Sequence, residues 1–84
     1  MIPYFTPRER RIAKLMAMGI ENREIARRVE NSWLSVKNVA RVVYEKSGAT
    51  SRLEFAMWYW HHFPEELETT LSPATVRSHD ERLA

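Results

Sequence analysis

Residues 22–46, NREIARRVENSWLSVKNVARVVYEK, decide the fold. In the first half, Ile25, Ala26 and Val29 recur at i, i+1 and i+4, one face of a 3.6-residue period, while Arg23, Glu24, Arg27 and Arg28 lie outside it. In the second half, Val36, Val39, Ala40 and Val43 form a stripe suited to burial. A step of about 100° per residue then gathers Leu34, Lys37, Asn38, Arg41 and Glu45 on the opposite face, directed away from the core. Two helices joined by a tight polar turn, the second presenting Lys, Asn and Arg outward, make the pattern of a helix-turn-helix. In that arrangement the second helix enters the DNA major groove.

Signals on either side extend this pair to an all-α domain of four helices. Thr6 and Glu9 have the spacing of a capping box, and Pro7 stands at the first helical position, where its missing N–H costs nothing. The first helix therefore starts there, turns Ile12, Leu15 and Met16 inward, and ends at Gly19. Asn22 is expected to cap the second helix and Ser32 the third, which runs to about Lys46 and closes at Gly48. Ser51 and Glu54 repeat the capping-box spacing and open a fourth helix, RLEFAMWYWHH. In it Leu53, Ala56, Met57 and Trp60 share a face expected to close the core, which leaves Phe55, Trp58 and Tyr59 on the other side. Pro64 then stops or kinks the helix. PEELETTL suits one short acidic turn, and Ser72-Pro73 is a start signal for a last helix, PATVRSHDERLA, too sparse in apolar residues to fold alone. The expected organisation is a domain over residues 1–63 and an acidic tail over residues 64–84 carrying a short helix signal.

Composition fits a small binding module. A chain of 84 residues holds one domain with a modest core, and its lack of cysteine excludes a disulfide scaffold. No apolar run reaches the ~18 residues of a membrane span, and MIPYFTPRER has no signal-peptide core, so a cytoplasmic protein is expected. The net charge of +2 divides unevenly. Residues 1–52 hold eleven Lys/Arg against five Glu, whereas residues 53–84 hold two Arg against six Asp/Glu. The basic half is the helix-turn-helix half, as an electrostatic footprint for phosphates requires.

From Phe5 to Tyr59 the chain resembles the LuxR/GerE-type helix-turn-helix domain. The shared pieces stand here as FTPRER, GIENREIARR, SVKN and YEKSGATSR, in register without insertion or deletion. Region 4 of bacterial sigma factors shares an opening like TPRER but does not usually continue as K-x-G-x-x-S-R, supplied here by Lys46, Gly48, Ser51 and Arg52. The resemblance implies that Lys37, Asn38 and Arg41 reach base edges, Lys or Arg favouring guanine and Asn adenine. It implies phosphate contacts from Arg23, Ser35, Lys46 and Arg52. It also implies dimer contact through the fourth helix, where Phe55, Trp58, Tyr59 and His62 are the candidates, aromatics of that size needing cover.

Departures from the family pattern concentrate around the turn. Glu30 and Asn31 stand where relatives usually place Gly and then Ile, and a left-handed Glu costs roughly 1 kcal/mol. Trp33 and Leu34 replace a polar pair at the start of the recognition helix, Val39 replaces a common His, and Ser47 replaces a Leu and thins the core. Leu34, on the outward face, is suited to a thymine methyl group or to a protein contact.

The expected function is that of a sequence-specific transcription regulator binding double-stranded DNA as a homodimer. With no receiver or ligand-binding segment ahead of Phe5, control is expected from abundance, oligomeric state or a partner. The competing expectation is a protein-binding module that forms mixed dimers with another LuxR-type regulator and removes it from DNA. Catalysis finds no footing. His61 and His62 point about 100° apart on a helix, away from any third ligand at metal spacing, and two glycines build no phosphate-cradling loop. A non-enzyme without cofactor or metal is expected.

Overall fold

The computed structural model of the chain describes residues 2–70. Among the described residues five helices follow one another: α1 (Pro7–Ala17), α2 (Asn22–Arg28), α3 (Trp33–Ser47), α4 (Arg52–His62) and α5 (Pro64–Thr70). The last helix expected, in PATVRSHDERLA, lies outside the described residues.

Local chemistry sets most boundaries. The capping box of α1 is complete, Thr6 Oγ1 accepting from the Glu9 amide at 3.1 Å and Glu9 Oε1 from the Thr6 amide at 3.0 Å. At its far end Gly19 takes φ 82°. The Gly19 and Ile20 amides then donate to Met16 O and Leu15 O at 3.0 and 3.2 Å, the two bonds of a Schellman motif. In α3 Ser32 Oγ accepts from the Ser35 amide at 3.1 Å, and left-handed Gly48 donates to Tyr44 O at 2.9 Å. Ser47, expected only to thin the core, donates from Oγ to Tyr44 O and accepts from the Ala49 amide, both at 3.2 Å. It closes the α3–α4 connection.

Two caps differ from expectation. Asn22 does not cap α2: Glu21 holds the cap position without a side-chain bond, and Asn22 is the first helical residue. Its Oδ1 is instead taken by Arg52. At α4, Ser51 Oγ accepts from the Glu54 amide at 3.1 Å, but the Glu54 carboxylate reaches back one residue further, to the amide and hydroxyl of Thr50.

The turn between α2 and α3 is a second Schellman motif, built without glycine. The Glu30 amide donates to Arg27 O at 3.4 Å and the Asn31 amide to Ala26 O at 2.9 Å, with Glu30 at φ 53°. It is the one non-glycine residue with positive φ among the described residues. Its side chain is exposed and has no ion pair among the described residues. Glu30→Gly is therefore expected to raise stability by about 0.5 to 1 kcal/mol, read as a higher urea midpoint at unchanged slope.

Helix α1 lies at the centre and packs on α2, α3 and α4. Ile12, Met16, Ile25, Val36 and Val43 are fully buried, so the apolar stripes of α2 and α3 meet inside as their spacing requires. Val29, Val39 and Leu15 sit half-buried at the margin.

Helix α4 faces the other way from expectation. Phe55 and Tyr59 are 0% exposed, whereas Leu53 and Met57 are 72% and 67% exposed. The two larger rings, one turn apart, fill the space against α1 and α3. Phe55 meets Tyr44 edge-on at 5.9 Å and Trp58 in a stacked contact at 5.9 Å. Phe5, from the extended N-terminal segment, covers Trp58 edge-on at 5.9 Å. Burying Phe and Tyr in place of Leu and Met removes more apolar surface from water, which selects this rotation of the helix.

Beyond Pro64 the chain forms a seven-residue helix and not a single acidic turn. It is tied back to the domain by Glu66, whose Oε2 accepts from Tyr59 Oη at 2.8 Å and pairs with Arg10 at 2.9 Å. Arg10 also lies 3.9 Å above the Phe63 ring. Burial, reinforced by the carboxylate of Glu66, pushes the Tyr59 hydroxyl up to about 12.

Candidate nucleic-acid interface

Helix α3 presents its cationic arc to solvent. Lys37, Asn38, Arg41 and Glu45 are exposed, Leu34 is 60% exposed, and Val36, Ala40 and Val43 hold the opposite side in the core. An open groove of about 680 Å³ runs along this flank, bordered by Asn22, Lys37, Asn38, Arg41 and Tyr44. Ser35 is half-buried near the helix start, its hydroxyl accepting from Ser32 Oγ at 2.9 Å.

Several cations of the domain are held by acidic side chains. On α2, Arg27 and Arg28 both bind the Glu24 carboxylate, Arg28 Nε at 3.1 Å. The hydrogen bond from Arg27, then that from Arg28, holds the Glu24 carboxyl at about 2. Arg10 pairs with Glu66. Among the described residues no acidic side chain pairs with Arg23, Lys37 or Arg41. All three are exposed. Trp33, 45% exposed, lies beneath two of them, with Lys37 Nζ 5.1 Å and Arg23 Cζ 5.7 Å from its ring centroid.

Two residues expected to hold phosphates do other work here. Lys46 Nζ donates to Tyr4 O at 2.9 Å and to Glu9 Oε1 at 2.6 Å, pinning the N-terminal segment to the end of α3. That hydrogen bond holds the Glu9 carboxyl below the usual carboxylate range. Arg52 points inward. Its Nη1 donates to Ile20 O at 2.6 Å and Met16 O at 3.4 Å, its Nη2 to Asn22 Oδ1 at 3.0 Å and its Nε to Tyr44 Oη at 3.3 Å. One guanidinium thus joins the end of α1, the start of α2, α3 and α4. The carbonyls at the end of α1 needed a donor, and that need was the available signal for Arg52's role. Arg52→Ala, which takes this donor from Ile20 O and Asn22 Oδ1 while Met16 O keeps the Gly19 amide, is expected to cost about 2 kcal/mol in a urea titration without altering the surface of α3.

The four side chains expected to form a dimer contact are not a free surface. Phe55 and Tyr59 lie in the core, which removes them from any interface. Trp58 and His62 are half-buried against each other, ring centroids 4.7 Å apart, with Phe5 and Phe63 over Trp58. The exposed apolar side of α4 is instead Leu53 and Met57, beside Trp60, whose indole Nε1 donates to Ala17 O at 3.1 Å. No helix among the described residues is long and apolar enough to cross a membrane.

Known proteins share this region. Residues 3–59 match the family described as bacterial regulatory proteins, luxR family. The nitrate/nitrite response regulator protein NarL of Escherichia coli (strain K12) is 43% identical over 53 residues, covering 63% of this chain and 24% of that protein. Response regulator Rre1 of Synechocystis sp. is 33% identical over 58 residues, 69% of this chain and 25% of that protein. The chain therefore spans about a quarter of the length of the curated relatives it matches. No solved structure matches it.

Proposed function

Because the chain belongs to the luxR family of bacterial regulatory proteins, we propose that it binds double-stranded DNA as a transcription regulator, with α3 in the major groove. The observation that carries this reading is the cationic arc of α3. Among the described residues Lys37 and Arg41 on that arc, and Arg23 beside it, have no acidic partner, whereas the fold neutralises or engages Arg10, Arg27, Arg28, Lys46 and Arg52. A protein surface that met another protein would gain little from bare like charges. A polyanion gains from each of them.

In this reading Lys37, Asn38 and Arg41 meet base edges, Leu34 packs on a thymine methyl group, and Arg23 and Ser35 hold the backbone. Lys46 and Arg52 are assigned to the fold. Selection of bound sequences from random duplex DNA tests the assignment. Enrichment of a site with guanine and adenine spaced for Lys37, Asn38 and Arg41 is expected. No enrichment, together with a mixed complex with a LuxR-type regulator, would favour the sequestering role.

A two-fold dimer is part of the proposal, through the exposed side of α4. Leu53 and Met57, one turn apart and flanked by Trp60, form an exposed apolar patch, bordered by Glu54 and His61, that a second copy of itself would cover. Isologous pairing would set two recognition helices about one helical turn apart, ~34 Å, and join two weak half-sites into one specific site. Met57→Glu is expected to give monomers in sedimentation, with helical circular dichroism intact and palindromic binding lost. A parent that stays monomeric at high concentration, free and on DNA, would end this part of the reading.

A further inference from the structure

We propose that Trp33 is a positioning residue for DNA binding: its indole holds both Arg23 and Lys37, in place of an acid that would cancel their charge. This rests on the DNA reading above and adds to it a residue that makes no base contact of its own.

The argument starts from a contrast within one helix pair. Arg27 and Arg28 are ordered by Glu24, and the ion pairs that order them also neutralise them. Arg23 and Lys37 are gathered at one ring by a different device. Both charges lie within 6 Å of one ring centroid, at 5.7 and 5.1 Å, although they come from different helices and repel each other. The negative face of the indole offsets that repulsion without removing any net charge. Trp33 itself adds little to the core, being 45% exposed. A large apolar ring at the first position of α3, where a small polar residue would sit comfortably, is thus explained by what stands over it.

The consequence is pre-organisation. Long cationic side chains lose rotamer freedom when they bind an anion, and a cation already seated on a ring has lost part of it beforehand. Removing the ring leaves the charge count unchanged but makes each contact harder to form. Trp33→Leu is therefore expected to weaken binding of the selected duplex roughly three- to tenfold, as part of the ordering cost of two long cationic side chains returns to the binding step. The slope of log affinity against log salt should stay as in the parent, because the same cations still displace the same counterions. Arg23→Met, which deletes a charge, should flatten that slope by about 0.9.

Two further measurements separate positioning from other roles. In an Arg23→Met/Lys37→Met background, Trp33→Leu should have no further effect on affinity. An undiminished loss there would show that Trp33 touches DNA directly and would overturn the proposal, as would unchanged affinity of the single variant. In the free protein, the Lys37 ε-methylene and Arg23 δ-methylene protons should be shifted upfield by the ring and return to ordinary positions in Trp33→Leu. Absence of those shifts in the parent overturns the geometry. A parent that binds no duplex overturns both this proposal and the DNA reading, and ring shifts that persist in it would mark the failure as one of function.

Discussion

Phe55→Ala is expected to cost about 3 to 5 kcal/mol, enough to unfold most of a small domain at 37 °C, whereas Leu53→Ala, two positions earlier, should change stability by less than about 0.5 kcal/mol. The contrast comes from which side of α4 meets the core. Phe55 is fully buried between Tyr44, Trp58 and Tyr59, each ring centroid 5.9 Å from its own. Truncation there removes the transfer free energy of a benzyl group and leaves a cavity that three rigid rings cannot close. Leu53 at 72% exposure has little to lose. Thermal melts of the two variants decide the matter. Equal losses, or a larger loss at Leu53, would mean that α4 is rotated the other way and that Phe55 belongs to the surface.

That rotation is also where the sequence was least legible. In α2 and α3 the apolar and cationic residues occupy separate arcs, so Ile25, Val36 and Val43 could be placed in the core, and Lys37, Asn38 and Arg41 outside it, from spacing alone. Helix α4 is apolar all round, and such a helix has no phase to read. A finer signal existed: Glu54 and His61 fall in the same sector of about 100° as Leu53 and Met57, which makes that sector the wet one. Arg52 masks it, since it lies on the inward side although the resemblance implies a phosphate contact for it. An arginine that serves four internal acceptors cannot be told from a surface cation without knowing where the carbonyls of α1 end. Lys46 misled for the same reason, its partners Tyr4 and Glu9 lying about forty residues away. The capping signals at Thr6, Ser32, Ser51, Gly19 and Gly48 needed no such knowledge, because their partners are within five residues.

The double variant Lys37→Ala/Arg41→Ala is expected to abolish preference for the selected DNA site, losing about 2 to 6 kcal/mol of specific binding, or 1 to 3 for each base contact. The two residues are four apart on α3, one turn, and both are exposed with no acidic partner among the described residues, so their removal leaves the core untouched. Thermal stability should stay with the parent and rise slightly if mutual repulsion is relieved. The two sites are neighbours, and the combined loss need not equal the sum of the singles. Discrimination carries the test. Base contacts distinguish sequences, so the ratio of specific to random-duplex affinity should collapse while residual, salt-sensitive binding remains through Arg23. Arg23→Ala should do the reverse, lowering affinity for every duplex with the ratio preserved. A double variant that bound its site like the parent would remove α3 as the recognition helix. A double variant that lost all binding equally, specific and random, would make Lys37 and Arg41 backbone contacts, and the bases would then have to be read elsewhere on the domain.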